Sequence, residues 1–184
     1  MNFESIQTIT LDEFRERRAR RDNERWRTVV GIDPPMHLGP GNACGIVVAA
    51  KRDHYTAPAY VLASRSMEPK QHDQWVRAAE GVLREFEADL IVIHGGLNSD
   101  VLRTIISMYS TGLPVRLINP AQGRQIRTLK LDEYYRFGRV IHVGAMPELE
   151  EQMRSQGCDK DGADALMVAI EYLLTPSLEP RRAL

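Results

Sequence analysis

The segment DLIVIH, residues 89–94, limits the possible folds more than any other part of the chain. Its four central residues are all apolar, so a strand formed here must be buried on both faces. Such strands occur inside parallel or mixed sheets that helices cover on both sides. With 184 residues, of which 43% are hydrophobic, the chain has the size of one domain with its own core. The sequence therefore predicts a single layered α/β domain.

Three segments rich in β-formers precede this strand, and two of them are separated by a loop containing Gly39, Pro40 and Gly41. We expect these segments to pair in antiparallel fashion, at residues 28–33, 43–51 and 57–67. Strands and helices alternate afterwards. The helices are expected at residues 72–88, 99–109, 130–138, 147–157 and 159–174, and the strands at 89–94, 112–119 and 139–144. This order predicts a mixed central sheet, antiparallel in its first three strands and then parallel, flanked by helices.

The N-terminal segment, residues 1–27, contains the arginine-dense stretch RERRARRDNERWR and has no sustained apolar face. We interpret it as a solvated helix or a linker, with a DNA-binding arm as the alternative. Residues 28–175 are predicted to form the domain, and residues 176–184 a flexible tail. The formal net charge is only -1, from 24 basic and 25 acidic residues, so any contact with DNA must be local.

A group of acidic residues falls where elements are predicted to begin or end. Asp33 ends the first of the expected strands, while Asp161 and Asp164 lie three residues apart and share one face of the last helix. Phosphodiester hydrolysis by two divalent ions, roughly 3.5–4 Å apart, needs such carboxylates from separate elements. Each acid also has a purely structural interpretation, since Asp33 could open a turn before Pro34 and the helical pair could favour the positive end of the helix.

Several motifs occur in an order that resembles the nuclease domain of a phage-type terminase large subunit, from about Val29 to Leu174. These motifs are VVGIDPP, CGIVVAA, YVLASRS, LPVRLINPAQGRQIR, YYRFGRVIHVG and DGADALMVAIEYLL. The family's closing pattern, an Asp followed after two residues by Asp-Ala-Leu, matches Asp161 to Leu166. The resemblance implies an RNase H-like fold and a metal-dependent endonuclease of low sequence specificity. Such an enzyme cuts concatemeric viral DNA during genome packaging.

The resemblance also implies a set of metal ligands. Asp33 would be the first ligand and Asp161 or Asp164 the last, and the spacing does not choose between these two. The family carries a carboxylate at the end of the fourth strand, where this chain has His94. An imidazole binds Mn²⁺ readily, whereas Mg²⁺ prefers oxygen, so Mn²⁺ is favoured if His94 is a ligand. The alternative is that His94 hydrogen-bonds within a polar rim and binds no metal.

Arg124, Arg127 and Lys130 resemble the family's basic segment beside the active site. Such residues would hold the phosphates of double-stranded DNA without selecting a sequence. An ordinary solvated loop is the alternative interpretation of the same segment.

The sequence contains no phosphate loop of the form GxxxxGK followed by Ser or Thr, so the terminase ATPase motor is missing. We expect either an excised nuclease domain or a short relative that works with a separate packaging ATPase, portal or small terminase subunit. Two other functions stay open: a catalytically silent RNase H-like module that binds DNA or a packaging partner, and a junction-resolving nuclease.

No stretch approaches the roughly 18 consecutive apolar residues of a membrane span, and the N-terminus lacks the features of a signal peptide. The two cysteines, Cys44 and Cys158, form no CxxC pair, so neither a disulfide framework nor a zinc site is expected. We therefore expect a cytoplasmic protein without a membrane partner, located in the host cytoplasm if a phage or prophage encodes it.

Overall fold

The computed structural model describes residues 3, 6–20, 24–119, 122–155 and 161–175. These residues form seven strands and six α-helices, together with one 3-10 turn at Gly96–Asn98. The elements in chain order are β1 (Gln7–Ile9), α1 (Leu11–Ala19), β2 (Trp26–Asp33), β3 (Cys44–Arg52), β4 (Ala59–Met67), α2 (His72–Glu85), β5 (Leu90–His94), α3 (Ser99–Tyr109), β6 (Val115–Ile118), α4 (Arg124–Arg136), β7 (Val140–Val143), α5 (Pro147–Arg154) and α6 (Asp161–Leu174).

The strands form one sheet in the order β1-β7-β4-β3-β2-β5-β6. The pairs β2–β3 and β3–β4 are antiparallel. The pairs β2–β5, β5–β6, β4–β7 and β1–β7 are parallel. The predicted mixed sheet, with three antiparallel strands followed by parallel ones, is thus confirmed.

Side chains that alternate along the central strands divide the core between the two faces of the sheet. Val30, Ile46 and Ile91 lie in the cluster that includes residues of α2 and α3. Val29 and Val92 belong to the other cluster, with residues of α4, α5 and α6. β5 is therefore buried on both faces, as its unbroken apolar run predicts.

None of the described helices has the length and apolar content that crossing a lipid bilayer requires.

Helix α6 lies directly on β2 and β3 because both strands carry a glycine beneath it. A Cβ atom at Gly31 would overlap the carbonyl oxygen of Ala165, and one at Gly45 would overlap that of Asp161. Gly45 pairs with Asp33 across the β2–β3 ladder. The first turn of α6 is consequently held beside the end of β2, which brings the acids of the two elements together.

The N-terminal segment packs onto the same sheet. β1 pairs in parallel with β7, and the N-cap residue of α1, Thr10, forms a capping box with Glu13. Phe14 is buried between the rings of Trp26 and Tyr60. The division of the chain at residue 27 stays a prediction, and the expected tail at 176–184 lies outside the described residues.

Helix α4 begins at Arg124, six residues before the start expected from the sequence. Its first two turns have no buried side chain, and the buried residues of the helix are Leu131 and Tyr135. An apolar pattern can mark only the part of a helix that meets the core. The three basic residues of this segment therefore lie on a helix that follows Gly123.

Candidate active site

Two site residues stand side by side at the carboxyl edge of the parallel strands. Asp33 is the last residue of β2 and His94 the last of β5. The two strands pair in parallel with Ile32 opposite Ile93, so Asp33 and His94 follow in register. The preceding residues, Ile32 and Ile93, face the side of the sheet that α2 and α3 cover. Because side chains alternate along a strand, Asp33 and His94 face the opposite side, which α6 covers. The sheet thus places a carboxylate and an imidazole side by side beneath α6, with Asp33 near the start of this helix and His94 against Glu171 in its last turns.

The acids of α6 act electrostatically on Asp33. Burial raises the pKa of Asp33 to about 7, with further contributions from the charges of Asp164 and Asp161. Burial also raises the pKa of Asp164, while the positive charges of Arg124 and Arg127 oppose that rise. Like charges in a partly dehydrated site disfavour ionisation of one another. Asp33, Asp161 and Asp164 therefore form one acidic group, and their role as metal ligands stays a prediction.

Arg124, the first residue of α4, reaches this acidic group. Its Nη2 donates to Oδ2 of Asp164 at 2.6 Å. The Asp164 side chain is only 22% exposed, while that of Arg124 is 49% exposed. A residue expected to contact DNA is thus paired with a residue expected to bind metal.

His94 takes part in a second charged group with Glu171 and Arg127. Its Nε2 lies 3.0 Å from Oε2 of Glu171, on the far part of α6. Arg127 Nη1 lies 3.0 Å from each ring nitrogen of His94 and 3.9 Å from Oε2 of Glu171. Glu171 was not among the site residues predicted from the sequence. The available signal was its spacing, because a residue seven positions after Asp164 lies two turns further along the same helix face.

Lys130 lies further along α4 and is exposed. It lines a small groove between α4 and α6 together with Arg127 and Glu171. The apolar part of this groove is formed by Leu131 and Met167, among others. Lys130 therefore borders the second charged group, whereas Arg124 contacts the acids directly.

The donor chemistry of the site fits a divalent cation. Carboxylate oxygens suit Mg²⁺ and Mn²⁺, and an imidazole adds a donor that suits transition ions. Burial is the main cause of the raised pKa of Asp33, and the neighbouring charges of Asp164 and Asp161, which add to it, are ones that a cation would offset. Within the described residues, no three His, Cys, Asp or Glu side chains already surround a common metal position. Metal binding would therefore replace the contact of Asp164 with Arg124 and that of His94 with Arg127.

Cys44 lies next to this site, but its thiol is unreactive. It is fully buried at the start of β3, beside Gly45. Burial raises the pKa of its thiol far above the usual range, and the charges of Asp33 and Asp161 add to the effect. The thiol is thus uncharged at neutral pH, and the thiolate is the form that binds metals. Cys158 falls outside the described residues.

No protein-family model and no curated protein sequence matches the chain. Solved structures do match it. The large terminase of bacteriophage HK97 has a TM-score of 0.56 at 12% identity, covering 80% of this chain and 39% of the terminase. The large-terminase nuclease domain of bacteriophage SPP1, solved with bound Mn, has a TM-score of 0.62 at 11% identity, covering 92% of this chain and 97% of that domain.

RuvC of Thermus thermophilus also matches, with a TM-score of 0.50 at 17% identity and coverage of 82% of this chain and 96% of RuvC. The chain has the RNase H-like fold that these proteins share, which confirms the predicted fold. The terminase-like order of motifs in the sequence is matched by a terminase-like arrangement of strands and helices. The chain spans about two fifths of the full HK97 terminase, and nearly all of the SPP1 nuclease domain.

Proposed function

We propose that the protein is a metal-dependent DNA endonuclease of the terminase type. One observation carries the proposal. Asp33 at the end of β2 is buried beside Asp161 and Asp164 at the start of α6, and burial together with the charges of these two acids raises the pKa of Asp33 to about 7. Carboxylates from separate elements that meet in this way are the equipment for two-metal phosphodiester hydrolysis. The fold shared with terminase nuclease domains supports the same conclusion.

The residues of the site divide into ligands and phosphate contacts. Asp33 and one acid of α6 would hold the metal, with the other acid of α6 as a second ligand or an outer partner and His94 as a further donor. When bound, divalent ions would activate a water molecule and stabilise the leaving oxygen. Arg124 and Arg127 would hold the DNA backbone, and Arg124 would exchange Asp164 for a phosphate. Lys130 would extend this basic track along α4.

The proposed substrate is double-stranded DNA, cut with little sequence preference. The basic residues lie on the surface of α4 beside the acids, a position suited to phosphates rather than to base edges. In genome packaging, the substrate would be concatemeric viral DNA in the host cytoplasm. The proposed partners in packaging are an ATPase motor, a portal and a small terminase subunit.

Plasmid nicking tests the endonuclease. The wild-type chain and Asp33→Ala are compared with Mg²⁺ and Mn²⁺ in parallel. Asp100→Ala serves as the matched control, because Asp100 is an exposed acid in the first turn of α3. We expect nicking by the wild-type and control proteins, strongest in Mn²⁺, and none by Asp33→Ala. Equal nicking by Asp33→Ala would contradict the proposal, because the activity would then come from another source.

The contacts of the arginines favour a second candidate, a catalytically silent module that binds DNA or a packaging partner. Arg124 pairs with Asp164, and Arg127 lies against His94, so each of the two charged groups already contains an arginine where a metal ion or a phosphate would otherwise bind. His94→Glu distinguishes the two functions. Nicking gained only in this variant would identify the natural chain as a binding module. Cleavage of four-way junctions in preference to linear duplex would instead point to a junction-resolving nuclease, which the fold shared with RuvC allows.

A further inference from the structure

We propose that Glu171 is a positioning residue that turns His94 into a ligand for Mn²⁺ in preference to Mg²⁺. This inference rests on the metal site of the proposed endonuclease. It concerns His94 at the end of β5, where the resemblance to terminases implies a carboxylate. Glu171 reaches that strand end from α6, two helical turns beyond Asp164.

The contact between the two side chains fixes the tautomer of His94. A carboxylate only accepts hydrogen bonds, so the Nε2 that lies 3.0 Å from Glu171 must carry a proton. A neutral imidazole has a single N–H group, so its Nδ1 then holds the lone pair. Both side chains are mostly buried, with exposures of 19% for His94 and 23% for Glu171. Solvent therefore competes little with this hydrogen bond.

A histidine held in this way is prepared to bind a metal ion. Metal-binding histidines commonly donate their second N–H to a carboxylate, which orients the ring and makes the other nitrogen a stronger donor. β2 and β5 are neighbouring parallel strands, so His94 lies beside Asp33 at the same edge of the sheet, while its Nε2 contacts Glu171 on α6. A nitrogen donor suits Mn²⁺ and other transition ions, whereas Mg²⁺ prefers oxygen.

The position of Arg127 is compatible with this tautomer. Its Nη1 is equally distant, at 3.0 Å, from both ring nitrogens of His94. The N–H bond on Nε2 and the lone pair on Nδ1 point in different directions within the plane of the ring. An atom equidistant from both nitrogens lies along neither direction, so Nη1 of Arg127 packs against the ring instead. Its distance of 3.9 Å from Oε2 of Glu171 places a positive charge beside the carboxylate. Arg127 thus balances the charge of Glu171 while Glu171 determines which nitrogen is protonated.

A competing account is that Glu171 and His94 form a simple ion pair. A doubly protonated imidazole has no lone pair and cannot bind a metal ion. Removal of Glu171 would then leave the affinity for Mn²⁺ unchanged or increase it. The two accounts therefore predict opposite effects of the same substitution.

Isothermal titration calorimetry with Mn²⁺ and with Mg²⁺ tests the inference on the full chain. The proteins compared are the wild type, Glu171→Ala, His94→Asp, the double variant, and Glu133→Ala as a control at an exposed position of α4. We expect Glu171→Ala to weaken Mn²⁺ binding about 10- to 100-fold, as for other partners of metal-bound histidines. Mg²⁺ binding should change much less, and the control should match the wild type.

The double variant gives the decisive comparison. When His94 is replaced by Asp, the imidazole is gone, so removal of Glu171 should then have little further effect on Mn²⁺ affinity. An equal loss in both backgrounds would overturn the inference, because Glu171 would then act only through its charge. Unchanged Mn²⁺ affinity in Glu171→Ala would overturn it as well, as would a wild-type chain that binds no Mn²⁺.

Folding and function are separated by two further measurements. Circular dichroism without metal verifies that each variant is folded, and Glu171→Gln replaces Glu171→Ala if the latter does not fold. Glutamine keeps the acceptor but loses the charge, so we expect a smaller loss of Mn²⁺ affinity; no loss at all would again count against the inference. Mn²⁺ binding that depends on Glu171 in a chain that nicks no DNA would contradict the proposed endonuclease alone.

Discussion

Asp33 stands at a point where burial and two neighbouring acids all favour its protonated form. The ordinary pKa of an aspartate lies near 4, whereas that of Asp33 lies at about 7. A carboxyl group whose pKa is raised in the folded state stabilises the fold at low pH. This contribution is lost as the pH rises through the folded-state pKa. In the absence of metal, Asp33 therefore opposes folding above neutral pH.

Asp33→Asn should remove the unfavourable contribution that the ionised Asp33 side chain makes to folding. With a chelator present, we expect the variant to exceed the wild type in free energy of unfolding by roughly 2 kcal/mol at pH 8, and to be nearly equal to it at about pH 4. Asp33 is only half-buried, so solvent screens part of the unfavourable effect of its negative charge. Urea unfolding at the two pH values measures the difference. An advantage that is the same at both values would show that charge is not its cause.

The residues at the ends of elements were the ones that the sequence could reveal. Asp33 follows a β-branched run, and Asp161 and Asp164 open an apolar helix, so their positions mark them without knowledge of the fold. Glu171 could not be found in this way. It lies among apolar residues in the last turns of α6, and its importance depends on a contact with His94 that is distant in sequence.

At the scale of elements, the packing of α6 on two strand glycines determines the geometry of the site. A Cβ atom at Gly45 would overlap the backbone of Asp161 and Gly162. Backbone atoms cannot move aside as the end of a flexible side chain can. Any larger residue at this position must therefore shift the first turn of α6, which carries the acids.

Gly45→Ala should lower the free energy of unfolding by about 3 kcal/mol, at the upper end of the usual cost of overpacking. Gly81→Ala is the matched control. Gly81 is exposed in α2, with open space around a Cβ, so the alanine should stabilise the protein by about 0.5–1 kcal/mol. Urea unfolding of both variants measures these changes. If both variants are stabilised, α6 does not rest on Gly45 as described.

The order of the main elements was predictable because apolar periodicity reports which side chains meet the core. β5 and α6 carry long apolar patterns and were located within about two residues. β1 has only three residues, two of them exposed, and it forms through its pairing with β7. The first turns of α4 show no such pattern because they face solvent and the site rather than the core.

At the scale of the whole molecule, the basic and acidic residues nearly cancel, yet they are unevenly placed. Arg124 and Arg127 lie at the carboxyl edge of the sheet, next to the acids. A protein with so little net charge has no general attraction for DNA, so the DNA binding proposed for it would depend on this local group. The affinity for DNA should therefore be sensitive to these two positions.

Arg124→Ala combined with Arg127→Ala should weaken binding to short duplexes of unrelated sequence to the same extent. The slope of log affinity against log salt concentration should fall by about 2, because each phosphate contact contributes about 0.9. Fluorescence anisotropy at several salt concentrations measures the slope. Arg84→Ala, on α2 at the opposite face of the sheet, is the control. A slope that does not change would place the DNA elsewhere on the surface.

The packing of α6 across β2 and β3 also determines when, during synthesis, the acids of the site can come together. Asp33 belongs to an early part of the chain, and its partner acids belong to the last described helix. A ribosome synthesises the strands first, and their inner face stays uncovered until α6 emerges. The acidic group cannot form before that moment. A nascent chain therefore holds Asp33 apart from Asp161 and Asp164 until residues 161–174 have left the ribosome.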